Sequence, residues 1–102
     1  MIPFESTTKP YRDDWLKFKV GTCEGLWRAT PTSYEILAVK NKQKGNGHFQ
    51  QVMNHFETSC RRDHKKFIVR ECWNFWKLAP ILKKLGFQRE PWSFDWVKSY
   101  YV

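Results

Sequence analysis

The chain has 102 residues, of which 41% are hydrophobic and 18% aromatic, and carries a formal net charge of +8. That length makes one domain with a single modest core, and six Trp and eight Phe supply enough apolar surface to fold without staples. No apolar run approaches a membrane span, and residues 1–10 lack the charged start and apolar stretch of an export signal, so no membrane partner and a cytoplasmic location are expected.

Residues 1–10 hold Pro3 and Pro10 and read as an irregular lead-in. Residues 15–20 alternate, with Trp15, Lys17 and Lys19 set against Leu16, Phe18 and Val20, which is a strand pattern. Gly21-Thr22 breaks it, and residues 23–28 are its expected hairpin partner. A turn at Pro31 leads to a compact apolar strand over residues 34–39, with Glu35 near its start. Phe49, Val52, Met53, Phe56 and Cys60 recur at three- and four-residue spacing, one face of an amphipathic helix. Arg61 and Arg62 suit the negative end of its dipole.

Residues 66–72 form a second apolar strand. Asn74 begins another helical stretch that Pro80 either kinks or delays until Ala79. Gly86 followed by Phe87 is a helix stop. Trp92, Phe94 and Trp96 alternate with Ser93, Asp95 and Val97 as a final strand. The strand–helix–strand unit over residues 34–72 implies two parallel strands joined by a right-handed crossover. Three widely spaced cysteines, Cys23, Cys60 and Cys72, argue against a disulfide framework.

The segment between the strand at residues 34–39 and the following helix reads Lys42-Gln43-Lys44-Gly45-Asn46-Gly47-His48. Two glycines one residue apart allow successive N–H groups to turn toward one point. The helix adds free N–H groups and a positive dipole end, and Lys40, Lys42 and Lys44 add charge. An anionic phosphate suits such a turn.

Val39, this Gly-x-Gly turn, the amphipathic helix, the short apolar strand, Asn74 and the run Lys84-Leu85-Gly86-Phe87 together resemble the GCN5-related N-acetyltransferases. The resemblance covers residues 34–88, about half the chain. It implies a single domain with a mixed, mostly antiparallel sheet, a central parallel pair and two helices. Residues 11–33 would be its N-terminal strands, residues 34–88 the cofactor-binding core and residues 89–102 a last strand and tail. The implied cofactor is acetyl-coenzyme A. Residues Lys42, Gln43, Lys44, Gly45, Asn46, Gly47 and His48 would wrap its pyrophosphate. The backbone of Leu37, Ala38 and Val39 would pair with the pantetheine arm, and Asn74 would contact that arm. The implied activity is acetyl transfer to an amine.

Three departures accompany the likeness. Lys42 stands where the family has Gln or Arg. The tyrosine that usually protonates the departing thiolate falls on Leu82, which cannot donate a proton. The stretch before the core strands is too short for the family's usual pair of helices, so the acceptor site is expected to be open or completed by a partner chain. A protein acceptor follows from that openness. The general base would be a carboxylate: Glu35 first, Glu71 second, Glu24 third.

Other readings compete. His55, Cys60, His64 and Cys72 invite a metal, but no paired ligand repeats accompany them. Basic and aromatic residues interleave in residues 61–67 and 73–77, as in nucleic-acid binders, though no recognised motif appears. A third reading is a catalytically silent relative that serves as an interaction module, motivated by Leu82 and by Trp92, Trp96, Tyr100 and Tyr101 near the end. The short, basic, aromatic-rich chain also has the character of small phage-encoded proteins, which would place it in a host cytoplasm or a virion.

Overall fold

The computed structural model describes residues 2–43, 45, 47–70 and 75–100, residues 75–77 by backbone alone. In chain order the elements are β1 (Glu5–Ser6), β2 (Leu16–Val20), β3 (Cys23–Ala29), β4 (Ser33–Asn41), α1 (His48–Asp63), β5 (Lys66–Val69), α2 (Phe75–Lys84), β6 (Gln88–Arg89) and β7 (Trp96–Lys98). The strands form one sheet in the order β1-β2-β3-β4-β5-β7-β6. Every neighbouring pair is antiparallel except β4 and β5, which α1 connects. The parallel pair is the one that the strand–helix–strand pattern predicts, and the mixed sheet is the one that the resemblance implies.

The register explains the core. Tyr34 lies opposite Phe67 and Ile36 opposite Val69, so these four side chains share one face of the sheet. The apolar stripe of α1 packs there, with Val52, Met53, Phe56 and Cys60 buried. The Phe56 ring meets the rings of Phe4, Phe18, Trp27, Tyr34, His55 and Phe67. Ala79 and Leu82 of α2, with Phe87 just beyond it, join the same buried cluster. Cys23 and Cys60 are buried free thiols, and burial pushes them up to about 11 and about 12 respectively. They are therefore protonated packing groups and not nucleophiles.

The structure departs from the sequence pattern at the lead-in and the last strand, and at α2 it selects between two stated alternatives. The lead-in is partly ordered: Glu5 and Ser6 pair with β2, and Phe4 stacks on His55 with ring centroids 3.9 Å apart. Helix α2 begins at Phe75 and runs through Pro80, so its start is not delayed to Ala79. The lost N–H costs one bond, which burial of Ala79 and Leu82 outweighs. The expected strand over residues 92–97 is shorter and shifted, because β7 starts at Trp96 and pairs with the unforeseen β6. Between them the Glu90 N–H donates to the Asp95 carbonyl at 3.0 Å, and the Asp95 N–H to Ser93 Oγ at 3.1 Å. These turn bonds leave Trp92 80% exposed. The stop after α2 is as expected: Phe87 N–H donates to Leu82 O and Gly86 N–H to Lys83 O, a Schellman pattern with Gly86 at φ 94°.

Candidate cofactor site

Strand β4 changes character halfway along. From Ser33 to Ile36 it pairs with β5 on one edge and β3 on the other. The last link to β5 is the Arg70 N–H donating to the Ile36 carbonyl at 2.9 Å. Beyond Ile36, β4 runs on to Asn41 with pairing to β3 alone among the described residues. A bulge sits at the start of this open half. Leu26 opposes Leu37 and Glu24 opposes Lys40, so Ala38 and Val39 together face Gly25. Ala38 takes up the extra residue with φ 55°, a left-handed angle that costs an L-residue energy. A Cβ on Gly25 would lie 2.9 Å from the Phe18 ring and 3.2 Å from the Leu37 carbonyl, so only glycine fits beside the bulge.

The open half feeds into the Gly-x-Gly turn. Gly45 and Gly47 have φ 84° and 78°, and nothing lies within 4 Å of where a Cβ would stand on either. Their backbone is thus open to a ligand. Gly47 is the N-cap of α1, with no side chain capping it among the described residues and no acidic residue in the first turn. Its carbonyl accepts the Gln51 N–H at 3.0 Å, and the positive end of the α1 dipole lies at this turn. Lys42 is exposed and pairs with Glu24 at 3.5 Å, an exposed pair that constrains little.

The flanks of this turn are held by residues the sequence reading passed over as a strand break. The Lys42 N–H donates to the Thr22 carbonyl at 3.0 Å. Thr22 Oγ1 donates to Asn41 Oδ1 at 2.9 Å, and the Thr22 N–H donates to His48 Nδ1 at 2.9 Å. Gly21 was legible as a break, but its closeness to His48 needs the fold to bring distant parts of the chain together.

Of the expected site residues, Leu37, Ala38, Val39, Lys42, Gln43, Gly45, Gly47 and His48 lie on one continuous path from the bulge to the start of α1. Lys44, Asn46, Asn74 and Glu71 lie outside the described residues. Glu35 stands one residue before the last described pair of β4 and β5, on the sheet face opposite Tyr34 and Ile36. Its buried carboxylate is fully engaged. Oε1 accepts from Arg28 at 3.0 Å and Arg70 at 3.0 Å, and Oε2 accepts from Ser33 Oγ at 2.8 Å. Arg28 continues to Asp14 at 3.1 Å, and Arg70 Nε lies 3.1 Å from Asp95, close but without a hydrogen bond's alignment. A carboxylate so paired acts as a counter-ion, which weighs against the role of general base.

The proton-donor question is equally constrained. Leu82 is fully buried in the core. Tyr100 donates to Glu57 Oε2 of α1 at 3.1 Å, and burial together with the Glu57 charge pushes its phenol well above the usual range. His55, Cys60 and His64 go to a ring stack, the core and the left-handed C-cap of α1.

The mostly antiparallel sheet, its one parallel pair and its two helices make a mixed α+β fold of acetyltransferase-like type. A solved structure carries the likeness: Ard1 from Thermoplasma volcanium, an acetyltransferase, superposes with a TM-score of 0.62 over 90% of this chain and 74% of that one, at 13% identity. At that identity the likeness establishes the fold. No family model matches the chain, and no curated protein does.

Proposed function

We propose that this chain is an N-acetyltransferase that uses acetyl-coenzyme A and acts on an amine presented by a macromolecule. The observation that carries the reading is the edge of β4 from Leu37 to Asn41, which pairs with β3 alone among the described residues and leads into the glycine start of α1. A pantetheine arm carries amide groups that pair with a strand edge, and a pyrophosphate needs converging N–H donors. Leu37, Ala38 and Val39 offer the first, and Gly45, Gly47 and His48 the second. Lys42 adds charge at the rim. When bound, the cofactor supplies a reactive thioester.

The protein's part is largely positioning. Glu35, ion-paired to Arg70, fixes that guanidinium just past the end of β5 and serves as a rigid polar floor. Glu71 remains the carboxylate proposed as base, and Glu24, tied to Lys42, ranks below it. Among the described residues no helix stands between β1 and β2, which leaves the acceptor side open. Trp92 and Phe94 are exposed on the turn that ends at Asp95, the partner of Arg70. Exposed aromatics of this kind suit a protein acceptor.

A second reading, a relative that binds the cofactor without turnover, is favoured by the burial of Leu82 and the engagement of Tyr100. Incubation with acetyl-coenzyme A and a library of amine-bearing peptides, followed by mass spectrometry, separates the two. Peptides heavier by one acetyl group support transfer. Cofactor binding without any acetylated product favours the silent relative.

A further inference from the structure

We propose that Thr22, in the turn between β2 and β3, is a positioning residue that presets the cofactor loop; this rests on the acetyl-coenzyme A reading above. Thr22 spends each of its polar groups on the two ends of that loop. Its carbonyl accepts the Lys42 N–H at 3.0 Å, and its hydroxyl donates to Asn41 Oδ1 at 2.9 Å, both at the end of β4. Its N–H donates to Nδ1 of His48, the first residue of α1, at 2.9 Å. Asn41 Oδ1 passes the restraint on by accepting the Gln43 N–H at 3.4 Å.

The physical consequence is preorganisation. Residues 42–47 carry two glycines at left-handed angles, a backbone that is costly to order. Fixing both ends to one residue removes part of that freedom before a ligand arrives, so less affinity is lost on binding. His48 takes part as an acceptor. Receiving the Thr22 N–H requires a lone pair on Nδ1, which places the ring proton on Nε2. The Thr22 hydroxyl also stands 2.9 Å from this nitrogen. Gly21 completes the device: a Cβ there would drive into the His48 imidazole, so a side chain at position 21 displaces the ring from its post.

The test pairs two probes in titration calorimetry. Acetyl-coenzyme A carries the pyrophosphate, and S-acetylpantetheine lacks it. His48→Phe removes the acceptor and Gly21→Ala displaces the ring. Each is expected to weaken acetyl-coenzyme A roughly tenfold, the scale of one hydrogen-bonded anchor. Thr22→Val keeps shape and backbone contacts and is expected to weaken it about threefold, for the lost hydroxyl bond alone. His48→Asn restores an acceptor and should stay within about threefold of wild type. S-acetylpantetheine should bind every variant alike.

Equal losses for both probes, or unchanged acetyl-coenzyme A affinity in folded His48→Phe and Thr22→Val, would overturn the positioning role while leaving the cofactor reading intact. Wild-type protein that binds neither probe overturns the cofactor reading and the positioning role with it. If His48→Phe fails to fold, Thr22→Val decides.

Discussion

The two halves of strand β4 show how one strand serves stability and binding in turn. The half from Ser33 to Ile36 has neighbours on both edges, core on one face and a chain of ion pairs on the other. The half from Leu37 to Asn41 has one neighbour among the described residues, a bulge with a left-handed alanine, and an exposed glycine turn beyond. The first half is over-determined by packing. Among the described residues the second pairs on one edge only. Substitutions in the first half should therefore cost stability, and those in the second should cost affinity.

Glu35→Ala is the largest break expected on the stability side. It leaves a buried void and removes the carboxylate that Arg28 and Arg70 share, so that Arg28 keeps only Asp14 and Arg70 only Asp95 as counter-charge. The guanidiniums reach solvent, so the loss should be about 2–3 kcal/mol, below the full range for a buried pair, read from urea unfolding. Glu35→Gln should fall between. Should Glu35→Ala leave stability unchanged while abolishing turnover, Glu35 would be the base after all.

Gly45→Trp is the corresponding break in the open half. It fills space that is empty around Gly45, so acetyl-coenzyme A affinity should drop by more than about tenfold, ~1.4 kcal/mol. The positive φ of Gly45 strains any side chain, so stability should also fall, by about 1 kcal/mol. A large loss of stability with intact affinity would reverse the division between the halves.

Ala38 sharpens the comparison at its boundary. Ala38→Gly relieves the positive φ at the expense of chain entropy, for a net gain of up to about 1 kcal/mol. Ala38→Val should lose about as much, since a branched side chain tolerates that angle least. Thermal unfolding of the pair reads both signs.

The smallest effect lies away from β4, where His55 stacks under Phe4. Burial, then the nearby Arg62 charge, lowers its pKa from 6.5. The unfolded chain takes up this proton first as pH falls. Stability should therefore decline slightly as pH drops through the unfolded value and level off below the folded one. His55→Gln should flatten that slope.

Much of this division is legible in the sequence, for physical reasons. The apolar stripe from Phe49 to Cys60, the Gly86-Phe87 stop and the Gly-x-Gly turn are local patterns, and each appears where expected. The bulge at Ala38 has no local signature, because alanine does not announce a left-handed angle. It arises from register against β3 and from the close approach at Gly25. The arginine cage of Glu35 draws on β3, β4 and the end of β5, so a carboxylate that reads as a free base proves engaged. Thr22 escaped notice for the same reason: its partners are 19 to 26 residues away. The shift of the last strand came from turn bonds at Glu90, Ser93 and Asp95 that compete with an alternating pattern.

The central claim is that the open half of β4 and the turn beyond it hold acetyl-coenzyme A. Titration calorimetry of the cofactor into the wild-type protein tests this most directly. Saturable one-to-one binding is expected, with a Kd below about 100 μM. No heat of binding at millimolar cofactor would contradict it.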